Sequence, residues 1–144
     1  MQEQQVLHQA PLHQAPLQQA PLVWGEIAVE DMARAKAFYQ TQFGVRFRDE
    51  QMFGMEMAIL ETEAPQAASI ALVKHDMMRP SGAGSILYLH LSDHLAPLVE
   101  RLERSGVEIA LPAVAIKEGE CGYSCVIVDS EGNRVGLWAP SLKG

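Results

Sequence analysis

The fold of this chain is decided by the stretch Ile27-Ala-Val-Glu-Asp31-Met-Ala-Arg-Ala-Lys-Ala-Phe38-Tyr39-Gln-Thr-Gln-Phe43-Gly44-Val45. It predicts a strand, an alanine-rich helix from Met32 to Gln42 and a second strand. Asp31 suits the N-cap, because its carboxylate can accept hydrogen bonds from the free amides of the first helical turn. Gly44 can adopt the left-handed conformation that ends many helices. The stretch therefore predicts one strand–helix–strand unit.

A weaker copy of this unit begins 62 residues later (31 to 93 and 44 to 106). Asp93 repeats Asp31, Gly106 repeats Gly44, and Asp93 is the predicted cap of a second helix at about 94–105. Self-similarity at a fixed offset indicates two copies of one supersecondary unit. We therefore expect a functional site between the copies.

The two copies are joined by the loop Pro80-Ser-Gly-Ala-Gly84, and each continues into further strands. The segment Asp129-Ser-Glu-Gly132-Asn133 predicts a hairpin turn, because Asp and Asn bond to nearby backbone and Gly accepts a positive φ. The pattern predicts an α+β domain of residues 22–144 with two βαβββ modules, at about 22–79 and 85–140. The predicted strands are 23–29, 45–49, 55–61, 68–75, 85–92, 108–115, 122–128 and 134–139.

Composition and charge exclude several function classes. The chain has 144 residues, of which 48% are hydrophobic and 20% are charged, as in ordinary globular domains. Its net charge of −7 disfavours binding to nucleic acid and to anionic membrane surfaces. No apolar run approaches the roughly 20 residues of a membrane helix, and the N-terminus lacks the pattern of a signal peptide. We expect a cytoplasmic protein.

Residues 1–21 contain a low-complexity repeat, with Ala-Pro-Leu recurring every five residues at Pro11, Pro16 and Pro21. Proline lacks an amide donor and restricts the residue before it, so neither a helix nor a sheet can propagate here. The repeat predicts a flexible arm. Either the arm has no function, or it docks on its own domain or on a partner.

Two stretches of this sequence resemble the vicinal oxygen chelate superfamily, which includes glyoxalase I, extradiol dioxygenases and bleomycin-resistance proteins. Residues 26–44 resemble its opening module, and residues 129–138 resemble its closing hairpin. The nearest group is the uncharacterised proteins related to lactoylglutathione lyase. The resemblance covers about 22–140 and implies a glyoxalase-like fold, in which two modules form a cup-shaped mixed sheet around a cleft. It also implies a homodimer.

Metal-using members of this superfamily carry His or Glu at four cleft positions. The resemblance places those positions at Trp24, Ala71, Ile86 and Gly136. None of these side chains can bind a divalent metal, which needs imidazole or carboxylate ligands. We therefore expect no metal cofactor, with a divalent metal held elsewhere as the alternative.

Strand alternation indicates which side chains face the cleft instead. Trp24, Glu26 and Ala28 face it from the first strand, with Ile86, Tyr88 and His90 from the fifth. The hypothesis is that Glu26 and His90 form a polar pair that binds a small ligand or moves a proton on it. Two alternatives are a buried Glu26 satisfied by Tyr88 and backbone donors, and a displaced metal bound by Glu26 and His90.

Other residues are candidates for ligand contact. Trp24 and Trp138 can stack on a flat ligand, or they can serve as packing residues. Tyr123 and Cys125 share a strand face and are predicted to line the cup wall. Lys117 lies in a loop that is a candidate flap over the cleft.

Three functions remain open from the sequence. The first is a metal-free small-molecule binding protein, on the pattern of bleomycin-resistance proteins. The second is an enzyme of the glyoxalase or lyase type that uses Glu26 and His90, with or without a metal. The third is an interaction module whose cleft has closed.

Overall fold

Residues 16–64 and 68–144 are described by a computed structural model of the chain. Its first module forms one sheet in the order β1-β4-β3-β2, with β1 parallel to β4 and the other pairs antiparallel. Its elements are β1 (Trp24–Ala28), α1 (Met32–Phe43), β2 (Phe47–Met52), β3 (Met55–Leu60) and β4 (Ser69–Lys74).

The second module repeats this order in a separate sheet, β5-β8-β7-β6, with β5 parallel to β8. The two sheets confirm the predicted α+β fold of two βαβββ units. The elements are β5 (Tyr88–Leu89), α2 (Leu95–Arg104), β6 (Ile109–Ala115), a 3-10 turn (Lys117–Gly119), β7 (Tyr123–Val128) and β8 (Arg134–Ala139).

Helix α1 begins where the sequence predicts, and both predicted capping residues are confirmed. The Asp31 carboxylate accepts from the Arg34 amide at 2.9 Å. Gly44 has φ 68°, and its amide donates to the Gln40 carbonyl at 3.0 Å. The helix ends at Phe43, one residue beyond the prediction. Local capping chemistry is therefore enough to define this helix.

Helix α2 begins one residue later than its repeat partner, and the prediction of Asp93 as its cap is wrong. The N-cap is His94, whose side chain makes no capping hydrogen bond. The amides of Leu95 and Ala96 donate instead to the carbonyls of Ser141 and Leu142, at 2.9 and 2.7 Å. The C-terminal segment thus satisfies the free amides that a side-chain cap would otherwise serve.

Strand β5 contains only two residues, although the sequence predicts a strand over 85–92. It lies at the edge of its sheet and pairs with β8 alone. Its pairing is limited to Tyr88 with Gly136 and Leu89 with Leu137.

The helices of both modules pack on one shared core. Ile27, Val29, Leu72, Leu95 and Leu137 all belong to it and are less than a tenth exposed. Leu87, Leu89 and Leu91 pack against the same core, which confirms that alternate residues of β1 and β5 face the helices. We call the opposite side of each sheet the cup face.

Tyr123 and Cys125 lie on the helix side of β7, so the prediction that they line the cup wall is wrong. Cys125 is directly opposite Leu137 in the β7–β8 pairing, and opposed residues point to the same face. Cys125 is 2% exposed within the core, where burial raises the pKa of its thiol to about 11. Tyr123 packs against the same core.

The closing hairpin of module 2 holds the start of α1 in module 1. The Glu131 carboxylate accepts from the Glu30 and Asp31 amides at 2.9 and 3.0 Å, and from Arg34 Nε at 2.7 Å. Its side chain is fully shielded from solvent. The Arg34 hydrogen bond is the main reason that the pKa of Glu131 falls to about 2.

A second set of bonds joins the same hairpin to module 1. The Tyr39 hydroxyl donates to Asp129 Oδ2 at 2.7 Å, in a buried position. Burial, followed by the Asp129 charge, raises the Tyr39 pKa well above its ordinary value. Asn133 Nδ2 donates to the Ala28 carbonyl at 2.8 Å. The predicted hairpin turn at 129–133 is confirmed, and it also fastens the two modules together.

Most of the predicted arm, residues 1–21, lies outside the described part of the chain. Residues 16–22 are exposed and form neither helix nor strand. In the two ranges 16–64 and 68–144, we find no helix with the length and apolar character needed to cross a membrane.

Candidate functional site

The cup face of module 2 is built around Tyr88 and Gly136, which are direct neighbours in β5 and β8. The Tyr88 ring covers Gly136 so closely that a Cβ atom at 136 would be 2.3 Å from Tyr88 Cδ2. Only glycine fits beneath this ring. Gly136, one of the four positions at which the resemblance places a metal ligand, is therefore covered by the Tyr88 side chain, which is 54% exposed.

His90 and Trp138 continue this aromatic surface. Their rings are perpendicular, with centroids 5.0 Å apart. The Trp138 indole donates to the Cys121 carbonyl at 2.8 Å, which fixes the ring. His90 Nε2 is 3.8 Å from Asp93 Oδ1, and both side chains are more than half exposed. The structure thus places Tyr88 and His90, which were predicted from strand alternation, on the same surface as Trp138, which was predicted as a stacking residue.

Glu26 has a different environment, and the predicted contact between Glu26 and His90 is wrong. The Glu26 carboxylate is exposed and accepts from the Trp24 indole at 3.3 Å, whereas the charged neighbour of His90 is Asp93. The alternative of a buried Glu26 satisfied by Tyr88 is wrong for the same reason. Strands β1 and β5 belong to different sheets, so a shared face does not bring their polar residues into contact.

A cavity of about 370 Å³ lies at the seam between β1 and β5, and we call it the seam cavity. A Cβ atom at Gly25 would be 2.9 Å from Leu87 Cδ1, so the two strands approach closely there. Leucine and isoleucine side chains form its walls, and the polar groups among its lining belong to Thr62, Ser69, Tyr88 and His90. Its apolar walls are Leu22, Leu60, Ile70, Leu87, Leu89 and Leu91.

A second, more polar cavity of about 200 Å³ lies between β1, the loop that joins the modules and β8. We call it the polar cavity. Its charged lining residues are Glu26, Arg79 and Arg134, and Ser81 and Ser85 line it as well. Glu26 and His90 therefore face different cavities.

The residues at the four superfamily positions do not fit a divalent metal. Trp24, Ala71, Ile86 and Gly136 offer no side-chain oxygen or imidazole. Ala71 is fully buried beside Glu26 in the β1–β4 pairing. Within residues 16–64 and 68–144, no three His, Cys, Asp or Glu side chains lie close enough together to hold a metal ion.

Sequence reasoning missed Arg79 and Arg134. Arg134 could have been found, because it lies two residues before Gly136 and alternation places both on the cup face. Arg79 lies in a loop, and a loop has no regular repeat from which the direction of a side chain can be predicted. Lys117 is exposed in the 3-10 turn, and its role as a flap stays a prediction.

Comparisons with known proteins agree with this geometry. A family model for the bleomycin resistance protein-like N-terminal domain matches residues 22–63. The Mycobacterium bovis protein CFP32, provisionally named a glyoxylase, is 30% identical over 120 residues. That alignment covers 80% of this chain and 44% of the relative, so the chain spans less than half of that protein.

Solved structures share the fold. TnmS3, an antibiotic binding protein from Streptomyces sp. CB03234, matches with a TM-score of 0.60 at 22% identity. The match covers 88% of this chain and all of TnmS3. The trypanothione-dependent glyoxalase I of Leishmania major matches with a TM-score of 0.64 at 15% identity, over 85% of this chain and 88% of that enzyme. Together the comparisons confirm the resemblance predicted from the sequence.

Proposed function

We propose that this chain, a member of the glyoxalase/bleomycin-resistance superfamily, binds a small and mostly apolar molecule in the seam cavity without a divalent metal. The observation that carries the proposal is the cavity itself, which combines apolar walls with a few polar groups. Its volume of about 370 Å³ lies in the range of small-molecule pockets, roughly 300–1,000 Å³. The antibiotic-binding relative TnmS3 supports the same class of function.

The chemistry of the cavity favours a neutral, flat ligand. Leucine walls contribute through burial of apolar area, about 25 cal/mol per Å². Tyr88 and His90 at the rim can stack on a ring and exchange hydrogen bonds with a carbonyl or hydroxyl group. Trp24 and Trp138 stay predicted ligand contacts on the neighbouring cup face, and Glu26 stays one at the polar cavity.

The test is a titration with prodan, a neutral naphthalene fluorophore, in the presence of a chelator. We expect saturable binding with a blue-shifted emission and a Kd on the order of tens of micromolar. Thr62→Phe places a ring in the seam cavity and should weaken binding about tenfold, equal to about 1.4 kcal/mol. Thr41→Phe, on the exposed surface of α1, is the matched control and should bind as the wild type does.

Three results would contradict the proposal. Prodan binding that does not saturate would mean that the cavity takes no such ligand. An equal loss of prodan affinity in Thr62→Phe and Thr41→Phe would mean that prodan binds outside the seam cavity. Binding that appears only after a divalent metal is added would show that the metal-free part is wrong.

A glyoxalase-type lyase is the second candidate function. CFP32 is named for that activity, and His90 lies at the rim of the seam cavity beside Asp93. In this case His90 is the proton-transferring residue, while Glu26 acts from the polar cavity. Turnover that is lost in His90→Ala and in Glu26→Gln would support it. Turnover unchanged in both variants would remove these residues from the reaction.

We also propose that the chain is a cytoplasmic homodimer. Leu111 and Val114 on β6, the edge strand of module 2, are 54% and 53% exposed. Apolar side chains on an open sheet edge are stabilised by contact with a second copy. Light scattering of the wild-type protein should give twice the mass of one chain. The Leu111→Lys variant should give the mass of a single chain. A wild-type mass of one chain would contradict the dimer.

A further inference from the structure

We infer that the polar cavity is a separate binding site for a carboxylate, held by Arg79 and Arg134. Both arginines line a cavity of about 200 Å³ together with Glu26. In the described ranges, neither has a hydrogen-bond or ion-pair partner, whereas Arg34 and Arg48 are paired with Glu131 and Glu50. Arg46 and Arg104 also lack a partner in those ranges, but only Arg79 and Arg134 line the same cavity.

The site is held in place by fixed backbone. Asn133 Oδ1 accepts from the Ser81 amide at 3.0 Å and so ties the loop between the modules to the closing hairpin. A Cβ atom at Gly82 would be 4.0 Å from Arg134 Nε, so this loop runs directly beside the guanidinium. Arg134 itself opens strand β8. The loop and the strand thus hold Ser81 and Arg134 at the same cavity.

Ser81 adds a neutral donor. Its Oγ already accepts from the Ala83 amide at 3.0 Å, so its hydroxyl hydrogen is free to donate to a ligand. Two guanidinium forks and a hydroxyl match the acceptor-only oxygens of a carboxylate. Arginine is suited to this role because its planar donors bind carboxylate in a bidentate way.

Glu26 makes the site selective for a singly charged anion. With Arg79 and Arg134 it gives the cavity lining a formal charge of +1. One carboxylate neutralises that charge, whereas a phosphate dianion would meet excess negative charge beside Glu26. The lining therefore favours a carboxylate over a phosphate.

The test uses benzoate, its neutral isostere benzamide and inorganic phosphate, followed by NMR of the arginine Nε–H groups. We expect benzoate to shift the Arg79 and Arg134 signals with a Kd on the order of millimolar, weakened by salt. Benzamide and phosphate should bind at least about tenfold more weakly. Glu26→Gln removes the negative charge of Glu26, so it should reduce the difference in affinity between benzoate and phosphate.

The double variant R79A/R134A should lose benzoate binding by about tenfold or more. R46A/R104A is the matched control, since it removes two exposed arginines that have no partner in residues 16–64 and 68–144. It should bind benzoate as the wild type does. R79K/R134K keeps both positive charges but lacks the bidentate donors of arginine. Its affinity for benzoate should lie between that of R79A/R134A and that of the wild type.

Equal binding of benzamide, tighter binding of phosphate or an equal loss in R46A/R104A would each overturn the inference. Thermal melting checks that all three double variants fold, which we expect because the four substituted arginines are exposed. The prodan titration separates this site from the seam cavity. R79A/R134A should leave prodan binding unchanged, so the two proposals can fail independently.

Discussion

Modules 1 and 2 repeat one βαβββ unit, but they satisfy the N-termini of their helices with different chemistry. In module 1, α1 is capped by the carboxylates of Asp31 and Glu131. In module 2, α2 is capped by the backbone carbonyls of Ser141 and Leu142. The repeated sequence pattern therefore specifies the order of strands and helices. The hydrogen-bond acceptors for the N-terminal amides of each helix depend on tertiary contacts that differ between the modules.

The cup faces of the two modules differ as well. In module 1 this face is closed by a cluster of its own apolar side chains, built on Met57 and Val73 with Met55 and Met78 packed against it. In module 2 it carries exposed side chains such as Tyr88. The ligand surface that we propose therefore lies on module 2 and at the seam.

Glu131→Ala should have the largest effect, because it breaks the contact between the modules at α1. It leaves two backbone amides and Arg34 without their acceptor, and we expect a loss of about 2–3 kcal/mol in unfolding free energy. Urea denaturation near neutral pH measures it. Glu131→Gln, which keeps one oxygen acceptor, should cost about half as much. Equal stability of all three proteins would contradict this role of Glu131.

The same carboxylate predicts how stability depends on pH. The folded pKa of Glu131 is lowered from 4.5 to about 2, so its contribution is present above the unfolded value. It should be lost as the pH falls from about 4.5 to about 2. Glu131→Gln should lack that part of the acid destabilisation. An identical acid profile in the variant would contradict the lowered pKa.

Removal of residues 141–144 tests the corresponding helix end in module 2. Two amides of α2 lose their acceptors and Leu142 loses its packing, so we expect a loss of about 2 kcal/mol. Ser141→Ala keeps the backbone carbonyl and should be nearly neutral. If Ser141→Ala destabilises α2 as much as the truncation does, the cap is not formed by the backbone.

Glycine-to-alanine changes at Gly136 in β8 and Gly25 in β1 compare contact with an aromatic ring and contact with the end of an aliphatic side chain. Gly136→Ala drives a methyl group into the Tyr88 ring and should cost about 1–3 kcal/mol. Gly25→Ala meets the end of the Leu87 side chain, which can move, and should cost less. Adding Tyr88→Ala should relieve the cost at Gly136. Thermal melts that show no relief would contradict the contact.

The two aspartates that the repeat aligns should have unequal effects. Asp31→Ala removes a true cap and should cost about 1 kcal/mol. Asp93→Ala removes only an exposed neighbour of His90 and should change stability by less than about 0.5 kcal/mol. Equal losses of stability in the two variants would indicate that Asp93 caps α2 after all.

What the sequence predicted correctly depends mainly on local chemistry. Asp31 and Gly44 are recognised because a cap and a left-handed stop are properties of a few adjacent residues. The turn at 129–133 is found for the same reason. Asp93 failed as a cap because its replacement comes from the C-terminal segment, which no local pattern connects to α2.

The site was harder to predict because it depends on faces and on distances between sheets. Alternation placed Tyr88 and His90 on one face, and Trp138, which was predicted only as a stacking or packing residue, lies beside His90. Alternation could not decide which face of β7 holds Tyr123, because both faces of that strand carry apolar residues. Alternation also could not show that Glu26 and His90 lie at different cavities. Their strands belong to two different sheets, and alternation within one strand does not report how two sheets are placed relative to each other.

The most direct test of the central claim is methyl NMR on chelator-treated protein titrated with prodan. We predict that the methyl signals of Leu87, Leu89 and Leu91 move together with the Tyr88 ring signals and that the shifts saturate with no metal added. This prediction would be contradicted if these signals stayed fixed, if only Leu111 and Val114 moved, or if saturation required a divalent metal.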